Sequence, residues 1–196
     1  KKLIFFFFFM SVLILRVQSQ RFEAGFKVAG CLSQIDGDDI LGFNKPGYEL
    51  GIFTAARLSP ATSLELGIQY NLRGSHYGKN DPVPIRFDLH YVDIPLLFIL
   101  KDWLQEDQGK SYYRMSFFGG FSVGRLISSS SLTGLDQEFN KTDISWILGT
   151  TYNWSPNWGI TGKYTRSLSS LYTYSKNARE IRMISYFISL GLRYTF

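Results

Sequence analysis

Two residue types that carry much of protein chemistry are nearly missing from this chain: its 196 residues include one cysteine, Cys31, and two histidines, His76 and His90. A lone cysteine excludes an internal disulfide, and no cysteine–histidine cluster has the spacing of a zinc site. No glycine-rich phosphate loop precedes a helical pattern. Long apolar runs are also lacking: after residue 15 none reaches the roughly 18–20 residues that a spanning helix needs. Charged residues make up only 19% of the chain, whereas aromatics reach 17%, high for a water-soluble globular protein. This balance leaves two leading classes, a soluble β-sandwich and a membrane β-barrel.

The first residues read as a leader. Lys1 and Lys2 form a basic start, Leu3 to Leu15 is apolar apart from Ser11, and Arg16 closes the run. Val17-Gln18-Ser19 suits a signal peptidase, so residues 1–19 are expected to be a signal peptide cut between Ser19 and Gln20, leaving 20–196 as the mature domain. The leader carries three of the five net positive charges, so the basic pI belongs largely to it and implies no nucleic-acid partner. Val28-Ala29-Gly30-Cys31 resembles a lipoprotein cleavage box. Arg21, Glu23 and Lys27 separate it from the apolar core, however, and Cys31 reads better as a small strand residue.

From Gln20 onward the period is two, the signature of strands with unlike faces. At the C-terminus Ile184, Tyr186, Ile188, Leu190, Leu192, Tyr194 and Phe196 alternate with Ser185, Phe187, Ser189, Gly191, Arg193 and Thr195. Seven further segments share the pattern: near residues 22–33, 48–58, 64–73, 85–100, 113–124, 143–154 and 158–165. A sandwich also alternates, but seldom with large aromatics on one face and glycine and serine on the other. An all-β, eight-stranded antiparallel transmembrane barrel of up-and-down order satisfies both features, because closure leaves no unpaired backbone in hydrocarbon and small residues suit a narrow lumen.

The connections alternate in length. Ser59-Pro60-Ala61-Thr62 and Ser155-Pro156-Asn157 are tight turns, and Trp154 and Trp158 flank the second as interface aromatics do. Gln34 to Pro46, Gly74 to Pro84, Ile127 to Lys141 and Ser169 to Ile181 read as long outer loops, with both termini on the periplasmic side. Lys101 to Lys110 is too long for a periplasmic turn and breaks the rule. Pro95 has no N–H for a ladder. A bulge is expected near Asp93 to Pro95, switching the lipid-facing phase from Leu89 and Tyr91 to Ile94, Leu96 and Phe98.

Gly25-Phe26-Lys27, Leu64-Glu65-Leu66-Gly67 with Arg73-Gly74-Ser75, and Tyr91-Val92-Asp93-Ile94-Pro95-Leu96-Leu97 resemble the PorT-like family of outer membrane β-barrel domain proteins. The resemblance spans nearly all of the mature chain. It implies the fold and a bacterial outer-membrane location, in a Gram-negative cell envelope. One founding member takes part in a secretion and gliding apparatus, a role these motifs do not carry over. The C-terminal strand ending in Phe196 is similar to the signal that the barrel-insertion machinery reads.

Strand direction then sets the depth of each inward charge. Glu23, Arg57, Glu65, Arg114 and Arg193 fall near the periplasmic end, and the order Arg193, Glu23, Arg57, Glu65 alternates in sign around the wall. Such charges are expected to pair, since an unpaired buried charge is very unfavourable. Lys27, Gln69 and Lys163 would fill the middle. Outward at the far end, Arg125, Arg166 and Arg182 suit contacts to glycolipid phosphates, or serve as ordinary solvated rim charges. Neither catalysis nor a cofactor is expected. Ser75, His76 and Asp81 share a loop without a nucleophile motif. Asp36-Gly37-Asp38-Asp39 is followed by Ile40 and Leu41 where a calcium loop needs a ligand and a glycine. Two roles remain: a closed barrel working through its outer loops as scaffold, adhesin or accessory subunit, and a small-solute pore.

Overall fold

The computed structural model describes residues 22–38, 42–77, 86–107, 110–131, 138–176 and 179–196. The expected signal peptide lies outside them. The strands are β1 (Phe22–Asp36), β2 (Lys45–Ser59), β3 (Thr62–His76), β4 (Arg86–Asp107), β5 (Lys110–Ser131), β6 (Thr142–Asn153), β7 (Trp158–Ser167), β8 (Tyr172–Lys176) and β9 (Arg179–Thr195). Each pairs antiparallel with its neighbour in the order β1-β2-β3-β4-β5-β6-β7-β9, and β1 pairs back onto β9 to close the ring. β8 stands outside the ring and pairs only with the start of β9, Tyr172 opposite Met183 and Lys176 opposite Arg179. The eight expected strands are therefore the wall, and the last expected loop, Ser169 to Ile181, carries a hairpin of its own.

Polarity runs inside out. Leu190 is 62% exposed, Ile52 65% and Phe121 60%, whereas Glu65, Arg73 and Asn71 are each 1% exposed. In water an apolar surface of this extent would drive association; in a bilayer it is the favourable face. Rings mark both ends of the apolar band. Phe26, Trp158 and Tyr194 cluster at the turn end, with Trp158 and Tyr194 centroids 4.8 Å apart. Trp146, Tyr164 and Tyr186 form a second group, and Tyr48, Tyr70 and His90 a third. On β9, Tyr186 and Tyr194 are separated by roughly 27 Å of strand, about the depth of an outer-membrane barrel's apolar band once the strand tilts.

The closing seam is tight. Gly25 on β1 faces Thr195, and a Cβ there would lie 2.0 Å from the Tyr194 carbonyl oxygen and 2.6 Å from the Phe53 ring. Glycine thus lets the first and last strands meet while Phe53 fills the space beneath them.

Two expectations need correction. The β4 phase does not switch at Pro95. Leu89 and Tyr91 are 0% and 2% exposed and point inward with Asp93, Leu97 and Ile99, while Ile94, Leu96 and Phe98 face lipid throughout. Register with β5 continues unbroken from Asp93↔Gly124 to Leu96↔Phe121, and the shift falls instead at His90/Tyr91. On the β3 side the ladder simply skips from Leu66↔Leu96 to Gln69↔Asp93, which absorbs the missing proline N–H. Leu89 and Tyr91 mislead because their apolar partners are loop side chains, not lipid. The second correction concerns Lys101 to Lys110. Lys101 to Asp107 and Lys110 are strand, not loop: β4 and β5 stay paired down to Asp107↔Lys110.

Candidate functional site

Ion pairs fill the lumen at several depths. At the turn-end rim, Glu23 on β1 accepts from Arg57 on β2 at 2.6 Å and from Lys101 on β4 at 3.2 Å. Deeper, Glu65 on β3 accepts from Lys27 on β1 and from Arg193 on β9, the latter at 2.6 Å. The Arg193 guanidinium lies 3.7 Å and the Lys27 ammonium 5.0 Å from the Phe53 ring centre. One carboxylate and one π-face thus contact both cations. At mid-depth Lys163 on β7 bridges Glu49 at 3.1 Å and Gln69 at 3.3 Å.

Toward the loop end, Arg73 on β3 donates to Asp143 on β6 at 2.8 Å. The Ser145, Ser167 and Ser169 hydroxyls donate to the same carboxylate at 2.8, 3.1 and 2.7 Å. The Arg73 guanidinium stacks 3.8 Å from the Tyr91 ring centre. Asp93 takes a hydrogen bond from Asn71 and sits against Gly124, where a Cβ would come within 2.1 Å of its carboxylate. Serine and glycine on the polar phase therefore have a structural use: serine donates hydrogen bonds to, and glycine makes room for, acids that could not otherwise be buried.

Above this layer the lumen ends in a small apolar core. Ile35, Phe87, Leu89, Tyr91, Leu126, Phe139, Leu171 and Met183 are all buried together, with Tyr172 and Tyr174 of β8 packed against them. Phe87 and Phe139 meet edge to face at 5.4 Å, and the Tyr174 hydroxyl donates to the Gly37 carbonyl at 2.9 Å. Strand ends and loops thus form a lid. A second apolar layer, Leu97, Ile99, Phe118 and Ile147, crosses the lower lumen. Between the layers the central cavity is only about 30 Å³, lined by Lys27, Glu49, Gln69 and Lys163, room for little more than a water molecule. A cavity of about 570 Å³ opens at the turn end.

Of the charges singled out in the sequence, the structure joins Glu23 to Arg57 and Glu65 to Arg193, in two separate clusters rather than one alternating ring. Arg114 bonds no carboxylate among the described residues: it donates to the Tyr152 hydroxyl at 2.9 Å and lies against the Trp103 ring. Asp93 and Lys101 escaped the sequence reading, and Glu49 fell on the inward phase without a partner assigned to it. Arg73 and Asp143 fell on the inward phase, a signal that could have flagged their pairing. Arg125, Arg166 and Arg182 do not converge. Arg125 donates to Thr142 at 3.2 Å, Arg166 lies 3.6 Å from Asp36, and Arg182 lies 3.5 Å from Glu180 within the β8–β9 hairpin. The Cys31 thiol is buried and directed at the Leu72 carbonyl, 3.4 Å away. Ser75 is buried and His76 contacts the Tyr77 carbonyl at 2.7 Å; Asp81, Asp39, Ile40 and Leu41 lie outside the described residues. Among the described residues no group of three or more His, Cys, Asp or Glu is placed to hold a metal.

Comparison with known proteins bears on this architecture. The model of the outer membrane protein beta-barrel domain family matches residues 18–173. The crystal structure of Ail, the attachment invasion locus protein of Yersinia pestis, covers 89% of this chain and 98% of its own, at 16% identity and a TM-score of 0.51. Neisserial surface protein A covers 89% and 97%, at 14% identity and a TM-score of 0.45. At such identity the likeness to Ail speaks for the fold alone. No curated protein matches the chain.

The lumen clusters differ in what their loss should cost. Glu65→Gln leaves Lys27 and Arg193 buried with no anion between them, and should destabilise the lipid-folded protein by about 3 kcal/mol. Arg114→Gln should cost about 1 kcal/mol or less, since only a hydroxyl and ring contacts are lost. Urea unfolding in lipid vesicles measures both.

Proposed function

Because the chain belongs to the outer membrane protein beta-barrel domain family, and hence to the bacterial outer membrane, we propose that it is a closed, non-enzymatic member of that family that works through its outer surface as a scaffold, adhesin or accessory subunit. The carrying observation is the apolar lid over the loop end of the lumen, where Ile35, Leu89 and Phe87 are at most 2% exposed. A pore needs a continuous wet path. Here the path meets the lid, the Arg73–Asp143 layer, the Lys163 bridge and the Phe118 layer in turn. A barrel of this strand number holds little more than its own side chains.

Within this reading the chain is a PorT-like protein made with a signal peptide over residues 1–19, and the strand ending at Phe196 addresses it to the insertion machinery. The family and the inverted polarity support that reading. Arg125, Arg166 and Arg182 meet the phosphates of the outer-leaflet glycolipid. Arg125 carries most of this contact, because Arg166 and Arg182 already lie beside Asp36 and Glu180 whereas Arg125 bonds a hydroxyl.

Two measurements test the proposal. In a planar bilayer the reconstituted protein should be silent; steady conductance steps of one size would mean a pore. Arg125→Gln should lower the phosphate of co-purifying glycolipid by more than Arg182→Gln does. Equal retention in both variants would reduce these arginines to solvated rim charges.

A further inference from the structure

Three buried polar atoms lie at the middle of the lumen: Glu49 Oε1 on β2, Gln69 Nε2 on β3 and Ser189 Oγ on β9. None of them has a hydrogen-bond partner among the described residues. Their residues are 5%, 8% and 6% exposed. A buried polar group without a hydrogen bond is costly, and an interior normally satisfies it with protein or with ordered water. All three residues line one space, the central cavity of about 30 Å³. Gly51 and Gly191 belong to the same wall, so no side chain from either position enters the cavity.

The remaining polar atoms of the wall are already engaged. Glu49 Oε2 and Gln69 Oε1 share the Lys163 ammonium at 3.1 and 3.3 Å. The second ammonium on the wall, Lys27, pairs with Glu65. What is left is one carboxylate oxygen that accepts, one amide N–H that donates and one hydroxyl that does either. The amide hydrogen would repel a cation, and the carboxylate oxygen would repel an anion. A neutral molecule with both donors and acceptors fits the set. The volume holds one water molecule, and a buried water needs two to four polar partners.

We propose that the central cavity is a binding site for one water molecule, which donates to Glu49 Oε1, accepts from Gln69 Nε2 and makes its third hydrogen bond with Ser189 Oγ. The water ties β2 and β3 to β9 across the lumen and extends the Lys163 bridge. Leu97, Phe118 and Ile147 wall the same cavity, so the site is polar on one side and apolar on the other. It does not depend on what the outer loops recognise.

Crystals of the folded barrel grown with sodium bromide, at a resolution that shows ordered water, test the site directly. One density peak is expected at about 2.7–3.2 Å from Glu49 Oε1, Gln69 Nε2 and Ser189 Oγ, without anomalous signal. A bromide anomalous peak would put an anion there, and contacts of about 2.3–2.6 Å would put a metal ion there. Either result, or a cavity without density, overturns the proposal. Ser189→Ala gives an independent reading by urea unfolding in lipid vesicles. If the hydroxyl bonds a water, its loss lowers the urea midpoint. If the cavity is dry, the variant removes an unpaired buried hydroxyl and the midpoint rises. A midpoint at or above that of the parent protein would contradict the bound water.

Discussion

Everything in this molecule depends on β1 reaching β9. In hydrocarbon an unpaired backbone N–H or C=O costs several kcal/mol, and an open sheet would expose a whole row of them. The ladder from Gly25↔Thr195 to Asp36↔Ile184 removes that row. It also fixes the rest. A closed ring of this size has an inside that side chains nearly fill and an outside that must be apolar, so the sequence alternates grease with small and polar residues over nearly every strand.

The inverted polarity creates the second problem, burying charges. An isolated buried ion is very costly, and a pair is tolerable only with good geometry and further hydrogen bonds. The lumen meets that condition in different ways at different depths. Glu65 is shared by two cations stacked on Phe53. Asp143 combines one arginine with three serine hydroxyls. Asp93 relies on an asparagine donor and on the space left by Gly124. At the loop end an apolar core with the polarity of a soluble protein's interior packs beside the Lys45–Asp88 ion pair. An apolar core caps the described part of the loop end, and a cavity of about 570 Å³ opens at the turn end.

Period two made the strands legible, and strand direction placed Glu23 with Arg57 and Glu65 with Arg193 at the same end. What escaped depends on contacts that no single strand reveals. Leu89 and Tyr91 look lipid-facing because they are apolar, but Phe139, Leu171 and Met183 come from distant segments to cover them. Pro95 signals a ladder defect without saying which neighbour yields, and it is β3 rather than β5. Lys101 to Lys110 has no clean alternation because Trp103 reverses the phase within it. The lost alternation looked like a loop and hid Lys101, a partner of Glu23.

The central claim is that the lumen is closed by its own side chains, and the chain carries a reporter for it. Cys31, the only cysteine, points inward at 5% exposure, beside Gly47 and Ser189. The folded protein in lipid vesicles should be treated with a small, charged, membrane-impermeant methanethiosulfonate. A closed lumen predicts that Cys31 stays unmodified over a period in which the urea-unfolded protein reacts fully. Modification of the folded protein at the rate of a free thiol would contradict it.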